Sequence, residues 1–121
     1  MAEHDVCAIG DVAPGALHPV SIGRREVVVT RLPCGTLRAF AARCPHHGAP
    51  LAEGCIGGEM TAGPCNAPYL QRAGEVLRCP WHGFEFDLQN GAPLVPAPEG
   101  MPMQLRFYAA REQDGRVMLS T

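Results

Sequence analysis

Two short stretches decide how this chain is read: Cys44-Pro45-His46-His47-Gly48 and Cys79-Pro80-Trp81-His82-Gly83. Each gives a Cys with a Pro directly after it, then a His, then a Gly. The spacing is Cys-x-His in the first and Cys-x-x-His in the second, with 32 residues (47–78) between the two ligand pairs. Thiolate and imidazole are the side chains that zinc and the softer transition metals prefer. The pair therefore reads as two halves of one site with four ligands: Cys44, His46, Cys79 and His82. Zinc modules usually place a Cys pair before a His pair. Here each stretch carries one of each. That order suits a 2Fe–2S cluster in which two Cys hold one iron and two His hold the other. A structural zinc site is the alternative.

Working outward, both stretches sit at the tips of hairpin-like loops. Residues 25–32 (REVVVTRL) are rich in β-branched side chains and predict a strand. Pro33-Cys34-Gly35 is a tight connection, and 36–42 return from it to Cys44. Residues 75–78 lead into the second stretch, and Phe84-Glu85-Phe86 leaves it as a strand. Residues 6–9 and 17–22 predict two short strands, separated by turn chemistry at 11–15. A last hairpin, 103–111 with 116–119, closes across Asp114-Gly115. Residues 48–74 hold Pro50, Gly54, Gly57, Gly58, Gly63, Pro64 and Pro68 without an apolar period, and are expected to form a long loop. The expected fold is all-β: short antiparallel strands in a sandwich or partial barrel, with two loops projecting from one end.

Composition agrees. Among 121 residues there are 14 Gly and 12 Pro, which favour short strands and tight turns over long helices. Ten basic against twelve acidic residues leave a net charge of −2, which points to no nucleic-acid partner. The N-terminal stretch is acidic, with no signal-like or membrane-spanning apolar run, so a cytoplasmic location is expected. In that reducing compartment six Cys suggest metal ligation more than disulfides.

The boxes CPHHGAPL (44–51) and CPWHGFEFDL (79–88) resemble the two signature boxes of Rieske iron–sulfur domains, in the ferredoxin and oxygenase branch of that family. The resemblance covers most of the chain and implies one domain over 1–121. Its cluster-binding part would be about 43–98, with an extended loop at about 54–74. It implies that Cys44 and Cys79 bind one iron of a 2Fe–2S cluster, and His46 and His82 the other. Pro96-Ala97 falls where the family carries a proline-containing third loop over the cluster. The respiratory branch has an extra Cys in each box, joined as a disulfide; Ala49 and Trp81 stand there in this chain. Its Ser and Tyr hydroxyls, which bond the cluster and Cys sulfurs, correspond to Phe84 and Phe86. Fewer hydrogen bonds to sulfur imply a potential in the lower part of the Rieske range, which begins at roughly −150 mV. The gap between the boxes is longer than in the family's common ferredoxin form, by about the length of 55–72.

Outside the boxes, Cys7 and Cys34 read as small apolar residues of a strand and a turn. Cys55 and Cys65 share the insert and read as thiols, with a disulfide between them the lesser alternative. His47 reads as exposed or behind the ligands, and His4 and His18 as solvated. Phe86 reads as core. Arg24, Arg25, Arg38 and Arg43 suggest a solvated strand face with room for a docking surface. The resemblance implies a monomeric electron carrier, taking electrons from a flavin reductase and passing them to a terminal oxygenase. The alternative is a small Rieske subunit of a larger oxidoreductase such as a nitrite reductase. A catalytic oxygenase needs a mononuclear iron on two His and a carboxylate. The 39 residues after His82 contain no His, which argues against that site in this chain and for a carrier over a catalyst.

Overall fold

The computed structural model describes residues 3–45, 48–62, 68–80, 85–94 and 104–120, without the side chains of 58–62 and 68–73. His46, His47, Cys65, Trp81, His82, Phe84 and Pro96-Ala97 lie outside the described residues.

β3 (Arg25–Arg31) and β4 (Leu37–Ala41) form the hairpin that the β-branched run predicts. Their register explains why Val27, Val28 and Val29 run together without polar alternation. Successive strand residues face opposite sides of a sheet. Val27 and Val29 enter one apolar cluster, Val28 and its cross-strand partner Phe40 another. The hairpin is thus covered on both faces, and each fully buried valine contributes about 1.5–3 kcal/mol. The turn at 33–36 closes by Leu32 and Gly35 amides, with Gly35 at φ 93°.

Around this pair the chain builds an antiparallel sheet of six strands in the order β1-β9-β8-β4-β3-β2. β1 (Glu3–Ala8) and β2 (His18–Ile22) are its edges, and β8 (Phe107–Gln113) and β9 (Arg116–Ser120) its last hairpin. The turn of that hairpin holds Asp114 at φ 52° and Gly115 at φ 77°. These are the signs a two-residue turn needs to match strand twist. β1 and β2 touch, so the sheet curls into a near-barrel. Val12, Val27, Val29, Leu37, Ala39, Val117 and Leu119 fill its interior.

The second sheet corrects the expectation of a long loop. β5 (Cys55–Ala62), β6 (Pro68–Arg78) and β7 (Glu85–Asp87) form a three-stranded antiparallel sheet. β6 begins well before the residues 75–78 that the sequence suggests. Gly57, Gly58 and Gly74 depress strand propensity in any local window, and Pro68 is tolerated as the first residue of its strand. Pairing of β5 with β6 supplies what local propensity lacks. This sheet covers the outer face of β3 and β4, and Leu77, Phe86 and Leu88 pack with Val28 and Phe40. Arg38 is not part of a solvated face. It is half-buried and donates from Nε to the Leu88 carbonyl at 2.9 Å, tying β4 to the strand behind the second box.

Candidate metal centre

Each box is a loop whose neck is an antiparallel pair. Arg43 pairs with Pro50 around residues 44–49, and Arg78 pairs with Glu85 around residues 79–84. The two loops therefore have the same length, six residues, although their Cys-to-His spacings differ. The first neck is drawn closed by Cys44 N–H to the Ala49 carbonyl (2.9 Å) and Gly48 N–H to the Cys44 carbonyl (2.8 Å). Gly48 sits at φ 75°, where a side chain is strained. Arg43 reaches across to the Gly48 carbonyl at 3.2 Å. An Arg78–Glu85 ion pair at 3.3 Å spans the second neck. Being exposed, it adds little stability and chiefly aligns the strand ends.

Cys44 and Cys79 are 3% and 2% exposed and belong to one apolar cluster with Leu51, Leu77, Phe86 and Leu105. Both are free of disulfides. The structure thus brings the two predicted thiol ligands from separate loops into one buried place. Thiolates in apolar surroundings are unfavourable unless a metal takes up their charge. Two such sulfurs are donors that suit iron–sulfur clusters or zinc. The donor set described here fits the thiolate half of the predicted site. Among the described residues no three potential ligands gather, since His46 and His82 are not among them.

The neighbours sort clearly. Ala49 is fully buried, so the position that would hold the extra Cys is filled by a methyl group. Phe86 is fully buried core, as its pattern predicts. Cys7 is buried in the near-barrel, and burial followed by the Asp11 charge pushes its thiol pKa up. Cys34 is exposed, contrary to its reading as an apolar turn residue. Its thiol bonds Thr36 Oγ1 at 3.2 Å, and that contact draws its pKa down. Cys55 is exposed and free. His4 and His18 are half-buried on β1 and β2 and so are not fully solvated.

Sequence reasoning missed one positioning residue. After a short 3-10 turn, Leu51–Glu53, Gly54 lies against the end of β6. A Cβ there would stand 2.2 Å from the Arg78 carbonyl oxygen, one residue before Cys79. Gly54 stood out only as one glycine among several, and nothing local marks which of them another strand will approach.

A near-barrel carrying a small sheet, with two matched loops that each bury a Cys, defines an iron–sulfur domain of the Rieske type. The family model described as Rieske [2Fe-2S] domain matches residues 2–106, and the chain belongs to that family. Its cofactor is accordingly a Rieske-type 2Fe–2S cluster. The chain is similar to apoptosis-inducing factor 3 of Mus musculus, 32% identical over 89 residues. That match covers 74% of this chain but only 12% of the relative. It is also similar to the ferredoxin component of the alkene monooxygenase system of Xanthobacter autotrophicus. There it is 27% identical over 117 residues, covering 97% of this chain and 80% of the relative. Among solved structures it resembles a chain in the complex of reduced oxygenase and oxidized ferredoxin in carbazole 1,9a-dioxygenase. The TM-score is 0.70 at 26% identity, covering 98% of this chain and 92% of that one.

Proposed function

We propose that this chain is a soluble Rieske-type ferredoxin, a one-electron carrier between a flavin reductase and a terminal oxygenase. The observation that carries the reading is the pair of buried thiols, neither in a disulfide, at the bases of two matched loops. The ferredoxin relative, which the chain matches over nearly its whole length, supports it. On this reading the chain is one domain, with its cluster-binding part at about 43–98. Cys44 and Cys79 hold one iron, and His46 and His82 the other. A bound 2Fe–2S cluster supplies reversible one-electron chemistry. The protein's part is to hold and shield it. Leu51, Leu77, Phe86 and Leu105 keep water from the thiolate side. With a cluster bound, His46 and His82 would each hold a proton on the ring nitrogen left free, as imidazole rather than imidazolate, because added negative charge nearby favours the protonated form. The potential is then expected to fall as pH rises. A potential that stays flat from neutral to alkaline pH in redox titration would contradict this role.

A second reading has one observation behind it. The mouse relative is far longer than this chain, so a module of this kind also occurs as a small part of a large protein. In that case the chain would serve as a fixed electron-transfer unit and would co-purify with its partner. A carrier would purify alone and exchange electrons with an added reductase. EPR of the dithionite-reduced protein, with iron and zinc analysis, tests the site itself. A signal with its average g below the free-electron value and about two irons per chain is expected. Stoichiometric zinc without that signal would overturn the ligand assignment.

A further inference from the structure

All ten basic side chains of this chain are arginine, and they are not deployed alike. Arg78, Arg111 and Arg116 are exposed, and each is held by a carboxylate: Glu85, Glu3 and Asp5 at 2.7–3.3 Å. Arg31 and Arg38 are half-buried and donate to the Ile9 and Leu88 carbonyls. Arg24, Arg25 and Arg43 have no carboxylate partner among the described residues, although all three are exposed. These three converge on one groove of about 340 Å³. It runs from the turn between β2 and β3, across the end of β4, to Tyr108 of β8. Arg106 lies over the Tyr108 ring, 5.6 Å from its centroid, and so sets a fourth positive charge beside one residue of the lining. Glu26 is the only acidic side chain in the lining among the described residues.

A chain with net charge −2 has carboxylates enough to neutralise these arginines, as it neutralises Arg78, Arg111 and Arg116. Three unpaired guanidinium groups beside one carboxylate repel one another, and that repulsion is relieved by an anionic occupant. Arginine's planar fork binds carboxylates in paired hydrogen bonds, which gives geometry as well as charge. The groove also has a definite place relative to the metal centre. Its floor includes Ala42 and Arg43, and Cys44 is the next residue. An occupant there lies against the strand that delivers the first thiol ligand.

We infer that this arginine groove is a docking site for an acidic surface segment, rich in Asp and Glu, on a redox partner protein. That the partner is a redox protein rests on the carrier reading above; the preference for carboxylates does not. A nucleic-acid backbone fits less well, because affinity for a duplex rests on many phosphate contacts and this groove offers three arginines. Docking of this kind sets encounter rate and orientation, and it weakens as salt screens the charges.

The test is anisotropy of fluorescein-labelled hexaglutamate titrated with the purified holoprotein at low salt. Saturable binding is expected, and Arg24→Glu/Arg25→Glu is expected to weaken it by about tenfold or more, as close charge pairs do at interfaces. Arg111→Glu/Arg116→Glu makes the same change in net charge elsewhere and is expected to have far less effect. The groove assignment falls if the wild-type protein does not bind, or if both double variants lose binding equally. It also falls if inorganic phosphate displaces the peptide at equal concentration, or if a DNA duplex binds more tightly than the peptide. EPR on the same samples reports the cluster independently. Discrimination between the variants in protein that never shows the cluster signal would sink the carrier reading and support the groove.

Discussion

Gly54 shows how one absent methyl group positions a metal loop. The chain leaves Leu51–Glu53 and enters β5 so close to β6 that a Cβ would overlap the Arg78 carbonyl oxygen at 2.2 Å and crowd the Leu51 oxygen at 3.2 Å. Both obstacles are backbone, so a larger residue forces the strand end to move. Overpacking of this kind costs about 1–3 kcal/mol. The displaced peptide is the one joining Arg78 to Cys79. Gly54→Ala is therefore expected to lower the unfolding midpoint and also to shift the EPR g values or the potential of the loaded protein. Gly57→Ala is the control, since a Cβ there meets nothing within 4 Å. A Gly54→Ala protein that is less stable but spectroscopically unchanged would reduce Gly54 to a packing residue. The boxes themselves were legible at this scale because Cys and His ligands are rare residues at fixed spacing. Gly54 was not, because its constraint comes from a strand 24 positions away in the chain.

At the scale of elements, the best-read strands are those whose neighbours merely agree with local preference. β3 and β4 carry their own β-branched and apolar pattern, and both strands form within a residue of the expected bounds. β5 and β6 lie in a stretch punctuated by glycine and proline, and only their mutual pairing makes them strands. That pairing has two parts. Cys55–Gly57 pair with 76–78, and after an irregularity 59–62 pair with 68–71. The near part carries the second box. At the break, Gly74 packs so tightly that a Cβ would come 2.6 Å from Cγ of Pro33. Replacing 59–71 by a short turn is expected to leave the cluster spectrum and iron content intact, because the near part keeps its pairing and long insertions alter stability only weakly. Loss of the cluster in that variant would show that the far arm braces the second loop.

Taken whole, the molecule separates its stability from its chemistry. Among the described residues the near-barrel core holds Cys7 and no box residue, while the outer core holds Cys44 and Cys79. β3 and β4 contribute to both, so the cores are mechanically joined but chemically distinct. This gives a pH dependence that belongs to the fold rather than to the metal. Burial, then the Asp11 charge, raises the Cys7 thiol above its ordinary value of 9.0. In the unfolded chain the thiol ionises near that value; in the folded chain it keeps its proton to higher pH. Above about pH 9 the native state therefore binds more protons than the unfolded one, and stability falls as pH rises. Below that value both states are protonated and Cys7 adds no slope. Urea unfolding of wild type against Cys7→Ala, from neutral to strongly alkaline pH, measures the effect. The variant is expected to start lower, because it leaves a small void in the core, and to lose less stability on the alkaline limb. Parallel alkaline limbs would show that Cys7 ionisation does not open the near-barrel.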